Sequence, residues 1–313
     1  MRYDVYFHND MDGRVSAAVF LDFLKKQGDD IANFYPVDHW MAKNWDKMVR
    51  GSKNPTAIFD FYFHPRAKFF FDHHSTTFIK DEWRKKFKPT QYYHLNFKFK
   101  SCAGLVLDVL TKKFGYRASK KIRELVFWAD VVDAAEYASA KETIELEKPG
   151  LKLDVFIEQA SGGGDSLEWL IRMMSEKSVE EILKLKRVKV VLKKEREKIR
   201  RGVLYAQENL QVYDRVVFLD LTQSKVIRVR FAPHYLYPGV RYVITFMEDK
   251  GHFRISVGGN PWQKESSRID LGRYLKSKYG GGGHRRAAGI AGIKSREQGF
   301  VIVKELIEFL QNK

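Results

Sequence analysis

At 313 residues and 36.6 kDa the chain exceeds what one hydrophobic core usually serves, which favours two compact units, and no run approaches the roughly 18 apolar residues of a membrane span. The single cysteine, Cys102, excludes an intramolecular disulfide and paired-cysteine zinc sites, and the start of the chain lacks a signal-peptide pattern, so we expect a cytoplasmic protein without a membrane partner whose metals sit on Asp, Glu and His. Fifty-six Lys and Arg against 39 Asp and Glu give a net charge of +17, which favours a phosphate-bearing partner.

Residues 3–7 form a short apolar run, 15–26 (VSAAVFLDFLKK) have helical spacing, and 31–37, 57–61 and 68–71 are further runs rich in aromatic and β-branched residues. Helical spacing returns at 103–113 and 122–135. Strands alternating with helices predict an α/β unit with a mostly parallel sheet covered on both faces. Past Pro149 and Gly150 the pattern changes: 161–165 (SGGGD) reads as a loop or helix start, Ser178 with Glu181 as a capping box, and 180–207 as one long, highly basic connecting helix. A basic helix that binds nucleic acid has the same composition. Strand signals then recur at 215–221, 225–232, 242–248 and 252–259, followed by the turn of Gly280, Gly281, Gly282 and Gly283 and a closing helix near 298–310, a second unit of α+β type.

The chemistry lies at the ends of the first-half strands. One finishes in His8-Asn9-Asp10-Met11-Asp12-Gly13, another in Phe59-Asp60, a third in Asp72-His73-His74. Ligands bind outside the carboxyl ends of parallel strands, so these sets should converge on one crevice. Gathered carboxylates repel and protonate unless divalent cations neutralise them. Oxygen-rich ligation with some imidazole suits manganese or magnesium, and two such ions form a site for in-line attack on phosphorus. Taken singly, Asp10 or Asp12 is an ordinary helix cap and His73-His74 an ordinary turn; three strand ends carrying ligand sets together favour the metal reading.

The sequences HNDMDG at 8–13, the lone Asp60, DHH at 72–74 and GGGGHRRAAG at 280–289 resemble, in order and over nearly the whole chain, the motifs of the DHH phosphoesterase superfamily and its DHH-associated domain. The resemblance implies an α/β fold: a mostly parallel DHH catalytic domain over 1–160, a helical connector over 161–210, and a smaller α+β substrate-binding domain over 211–313, with the active site in the cleft between the two. It implies that His8 and Asp10 bind one metal, Asp12 and His73 the other, and that Asp60 bridges both. The fourth motif supplies one more aspartate, for which Asp130 and Asp133 both stand available in WADVVD; the Ala-Asp-Val triplet resembles the RecJ-like form and favours Asp130. Asp72 would support the neighbouring histidines, and His74 would donate to the scissile phosphate. Gly281, Gly282, Gly283, His284 and Arg285 would grip the far end of the substrate.

The cofactors implied are two divalent ions, manganese first, with magnesium or cobalt as alternatives. The function expected is a phosphodiesterase acting on short RNA or DNA oligonucleotides in the manner of a nanoRNase; the alternatives are hydrolysis of cyclic or linear dinucleotides or of pAp, and a non-catalytic nucleic-acid-binding scaffold. The arginines 228, 230 and 254 on predicted strands read equally as phosphate contacts and as a solvent face. The alternating Phe97-Lys98-Phe99-Lys100 reads as a stacking surface or, more commonly, a strand with one buried aromatic face. His39, His64, His234 and His252 match no motif.

Overall fold

The computed structural model describes residues 1–159, 165–249, 251–283 and 285–313, so the expected loop at 161–164 and His284 lie outside the described residues. By its contacts the chain divides into two units: Met1–Tyr137 with Leu146–Leu192, and Ala138–Glu145 with Lys193–Lys313.

In the first unit, β1 (Arg2–His8), α1 (Met11–Lys26), β2 (Asp30–Val37), α2 (Trp45–Arg50), β3 (Thr56–Phe59), β4 (Ala67–Asp72), α3 (Asp81–Lys86) and β5 (Tyr93–Leu95) build a five-stranded sheet of order β2-β1-β3-β4-β5. Every pairing in it is parallel. The strands are apolar on both sides because both sides are covered. Val5, Phe7, Phe59, Phe69 and Phe71 face the larger core, filled by α1, α4 (Cys102–Phe114), α5 (Lys120–Asp133) and the helices that follow. The alternate residues Tyr6, Ile58 and Phe70 face a second core with Trp45, Phe63 and Trp83. The α/β fold read from the runs is therefore the fold observed.

Four helices follow: α6 (Ala140–Glu145), α7 (Pro149–Gln159), α8 (Asp165–Glu176) and α9 (Val179–Leu183). Ser178 and Glu181 form the expected capping box at the start of α9. The expected single connecting helix is broken at Lys184 and Leu185, after which α10 (Lys186–Asn209) runs for 24 residues. Val188 and Leu192 of α10 are buried in the first core, whereas Ala206 belongs to a cluster of the second unit. The connector is thus shared between the units, each end anchored by its own apolar face.

The second unit continues with β6 (Gln211–Tyr213), β7 (Val216–Asp220), α11 (Ala232–Leu236), β8 (Tyr242–Asp249), β9 (His252–Gly259), α12 (Leu271–Tyr279), β10 (Gly282–Gly283), β11 (Ala287–Ile293) and α13 (Arg296–Gln311). Its sheet has the order β10-β11-β9-β8-β7-β6, antiparallel except between β7 and β8. Phe218, Phe246, Ile255 and Ile290 pack with Leu275 of α12 and Val303 and Leu306 of α13. Among the described residues no helix is long and apolar enough to cross a membrane.

Two strand expectations fail. Residues 225–230 form no strand; Val226 and Val229 are half-buried in the cluster around Ala206, with Val229 and the Ile227 carbonyl against Gly202 of α10. Val226 and Val229 are partly covered in that cluster and Ile227 is exposed, so the segment packs on one side without pairing as a strand. Residues 97–100 are a turn, closed by Phe99 N–H donating to the Asn96 carbonyl and Lys98 N–H to the Asn96 side chain.

Candidate metal centre

The sheet order reverses between β1 and β3, which opens a crevice at the carboxyl ends of the strands. His8 ends β1, Asp60 follows β3, and Asp72 ends β4. Asp10 caps α1, accepting the Gly13 N–H at 3.0 Å. A Cβ at Gly13 would lie 2.1 Å from the His8 carbonyl oxygen, so only glycine lets α1 begin this close to the strand. Asp12, in the first turn of α1, is buried and accepts the backbone N–H groups of Cys102 (2.7 Å) and Ala103 (2.8 Å) at the start of α4. Those donors and the helix dipole fix the carboxylate. Asp60 holds a left-handed φ of 56°, a conformation that Asp and Asn tolerate better than most residues.

The side chains converge closely. His8 Nδ1 lies 2.6 Å from Asp10 and 3.5 Å from Asp60. His73 Nε2 lies 3.5 Å from both Asp12 and Asp60 and 3.3 Å from Asp133. Two sets result, His8-Asp10-Asp60 and Asp12-His73-Asp133, each with one ligand atom per residue within 4.8 Å of the others, and Asp60 also approaches His73 and His74. The donor chemistry fits a pair of divalent cations. His73 Nδ1 stands 3.2 Å from the Phe99 carbonyl, an acceptor only, so Nδ1 carries a proton and Nε2, which faces three carboxylates, is the nitrogen left to ligate a cation once it gives up its own proton. His73 Nε2 and Asp60 Oδ1 are both buried without a well-formed hydrogen bond, the condition a cation would relieve.

Without cations, protons offset part of the crowding. Burial opposes charge on His8, but its hydrogen bonds to Asp10 and Asp60 push the imidazole up to about 10. The Asp60 carboxylate 3.3 Å away and the hydrogen bond to Asp72 push His74 up to about 11. Burial also opposes charge on Asp60, yet the imidazoles of His73, His74 and His8 hold its carboxyl well below the usual range. Burial, with the charges of Asp60 and Asp133, pushes Asp12 well up, and burial beside Asp60 pushes Asp133 up to about 6.

Of the two fourth-motif carboxylates Asp133, and not the favoured Asp130, lies with Asp12 and His73 in the cluster. The Asp130 carboxylate instead accepts the Ser101 hydroxyl at 2.5 Å beside the start of α4. Asp72 has the supporting position expected: its Oδ1 accepts the backbone N–H of His73 and His74 and lies 3.0 Å from His74 Nδ1. Sequence reasoning passed over His39, whose ring lies 5.0 Å from that of His8. It also passed over Arg14, a buried guanidinium donating to Asn9 Oδ1 at 2.7 Å and so bracing the first motif. Neither belongs to a strand-end motif, so only the folded chain exposes them.

The second unit holds a separate hollow of about 330 Å³ lined by Arg228, Arg254, Ser256, Gly282, Gly283 and Ala288, among others. Gly283 has φ 136°, and a Cβ there would stand 2.5 Å from the Ala287 carbonyl oxygen. Arg228 donates to Ser256 Oγ at 3.0 Å; partial desolvation, with Arg230 and Arg254 nearby, pushes its guanidinium down to about 10. Such crowded cations suit an anion. Gly281 and Arg285 do not line the hollow, and Arg285 stands 3.8 Å from Asp270. Trp262 packs edge-on against Phe231 and His234.

A doubly covered parallel sheet with this ligand cluster at its switch point, followed by a mixed-sheet unit carrying a glycine-rich turn, is a fold found in solved phosphodiesterase and RecJ structures. The chain is similar to the pGpG-specific phosphodiesterase PggH from Vibrio cholerae, at 23% identity and a TM-score of 0.72 over 99% of this chain and 98% of that one. It is also similar to an exopolyphosphatase-related protein from Bacteroides fragilis, at 15% identity and a TM-score of 0.54 over 99% and 92% of the two chains. RecJ in complex with Mn²⁺ from Thermus thermophilus matches at 15% identity and a TM-score of 0.60 over 99% of this chain and 52% of that one. No protein-family model matches the chain, and no curated protein sequence does.

Proposed function

We propose that the chain is a metal-dependent phosphodiesterase that hydrolyses linear dinucleotides. The observation that carries the chemistry is the convergence of His8, Asp10, Asp12, Asp60, His73 and Asp133, with His73 Nε2 and Asp60 Oδ1 buried and unsatisfied. His8 and Asp10 would hold one cation, Asp12, His73 and Asp133 the other, and Asp60 both. When bound, the pair, manganese first and magnesium or cobalt as alternatives, supplies an activated water and neutralises the phosphoryl oxygens.

This chain's residues do the rest. The Asp12 carboxylate is fixed by two backbone donors, and Phe99 sets the tautomer of His73. His74, oriented by Asp72 at 3.0 Å from its Nδ1, is half-exposed and would donate its remaining ring N–H to a phosphate oxygen. By itself, the hollow of Arg228 and Arg254 with Gly282 and Gly283 in the second unit is a candidate site for an anion such as a phosphate group.

The dinucleotide reading draws support from the end-to-end match with a pGpG phosphodiesterase, and it moves ahead of longer oligonucleotides. The oligonucleotide reading keeps some support from the net charge of +17 and the likeness to RecJ, which extends over about half of that protein. The filled ligand positions speak against a non-catalytic scaffold. The test is release of mononucleotide from pGpG, pApA, cyclic di-GMP, pAp and 5′-phosphorylated RNA of increasing length, with manganese, magnesium or cobalt. We expect linear dinucleotides to be cut fastest. Faster cleavage of longer RNA would move the assignment to an oligoribonuclease, and no cleavage with any ion would reject the hydrolase.

A further inference from the structure

A 3₁₀ turn, His39–Asn44, follows β2 directly, and β2 pairs with β1 so that Val37 stands opposite His8. The turn therefore begins beside the metal cluster. The His39 ring lies 5.0 Å from His8, is stacked at 5.9 Å on Phe61, and its Nδ1 stands 3.1 Å from the Tyr62 hydroxyl. Phe61 is in turn locked by Trp45 at 5.0 Å. These rings pack on one another beside the cluster, and the next residue in the chain is Trp40.

Trp40 is 73% exposed. Trp45 and Trp83 are buried, Trp128 and Trp169 pack on the first core, and Trp262 packs on Phe231 and His234, so Trp40 alone of the six tryptophans offers its ring to solvent. Leaving so large an apolar surface in water is unfavourable unless something covers it. In a 3₁₀ helix side chains at i and i+3 eclipse, which places the exposed Lys43 on the same side as Trp40. A flat apolar ring with a cation next to it matches the two parts of a nucleotide, base and phosphate.

We propose that Trp40, with Lys43 beside it and His39 behind it, is a nucleobase-stacking subsite for a nucleotide whose phosphate lies at the metal cluster. This rests on the dinucleotide reading above. The subsite takes any base by its π-face and gives affinity more than base choice.

The experiment compares wild type, Trp40→Ala and Trp40→Phe on pGpG and on an analogue in which abasic ribose replaces one nucleoside. Stacking of ordinary strength predicts a rise in KM for Trp40→Ala of roughly 5- to 150-fold. Trp40→Phe should recover most of that loss, and the penalty should shrink severalfold on the abasic analogue that lacks the stacked base. A KM for Trp40→Ala within about twofold of wild type on pGpG, or an equal penalty on both abasic isomers and pGpG, overturns the subsite. Quenching of tryptophan fluorescence by GMP separates the two claims. If wild type cuts no dinucleotide yet GMP quenches a signal that Trp40→Phe removes, the function falls and the subsite stands; no quenching overturns the subsite.

Discussion

At the scale of single residues, the metal cluster turns on which of two aspartates on α5 faces it. Asp133 stands 3.3 Å from His73 Nε2, whereas Asp130 is bonded to Ser101. Asp133→Asn should therefore lower activity by roughly 100-fold or more, since metal affinity falls by about 10- to 100-fold even when a ligand's supporting partner is lost. Asp130→Asn should change metal affinity far less and cost about 1 kcal/mol of stability through the weakened Ser101 bond. Calorimetric manganese titration and thermal melts of both variants check this. Ligand binding to the cluster must also displace protons: His8 is protonated up to about pH 10 and Asp133 up to about pH 6 in the empty cluster. Both must lose their protons to ligate, so manganese affinity should rise with pH across that range, and titrations in buffers of different ionisation enthalpy should report proton release. His8, Asp10, Asp12, Asp60 and His73 were legible because they sit just past apolar strands. The choice between Asp130 and Asp133 was not, because positions three apart share a helix face and packing around Ser101 decides between them.

At the scale of elements, the end of β10 demands glycine at position 283. With φ 136° and no room for a Cβ, Gly283→Ala should distort the hollow bordered by Arg228 and Arg254. The expected result is severalfold weaker binding of inorganic phosphate to the second unit with manganese affinity unchanged, checked by phosphate titration beside metal titration. The strands of the first sheet were readable because both their faces are buried, and their alternate residues divide between two cores. The segment 225–232 and the FKFK of 97–100 share that alternation without forming strands. In one, β-branched residues pack on α10; in the other, a turn delivers the Phe99 carbonyl to His73. Phe97 and Ile227 are exposed, so alternation alone did not mark a buried face in either segment. The helices α6 and α7 escaped a sequence reading altogether, of α8 only a start near Asp165 was offered, and α6 belongs by its contacts to the second unit.

At the scale of the whole molecule, two units were expected from length and two are found, each with its own core. Their boundary falls inside α10, which no composition shift marks. Because all the candidate ligands lie in the first unit, manganese should slow amide exchange in β1, β3, β4, α1 and α4 and leave β7–β9 unaffected at substrate-free equilibrium. At 100 times Kd the gain is about 2.7 kcal/mol. The charge divides as 25 basic against 20 acidic residues over 1–150, and 31 against 19 over 151–313. Most of the excess thus lies outside the half that carries the carboxylate cluster, and kcat/KM for an anionic dinucleotide should fall as ionic strength rises.

The most direct test is manganese-dependent release of GMP from pGpG by wild type and by Asp60→Asn, a change that keeps a residue tolerant of the left-handed backbone while removing the shared carboxylate. Turnover by wild type that chelator abolishes, and that Asp60→Asn lowers by at least roughly 100-fold, is the outcome predicted here. Absence of turnover in wild type with every divalent ion, or full activity in Asp60→Asn, would contradict it.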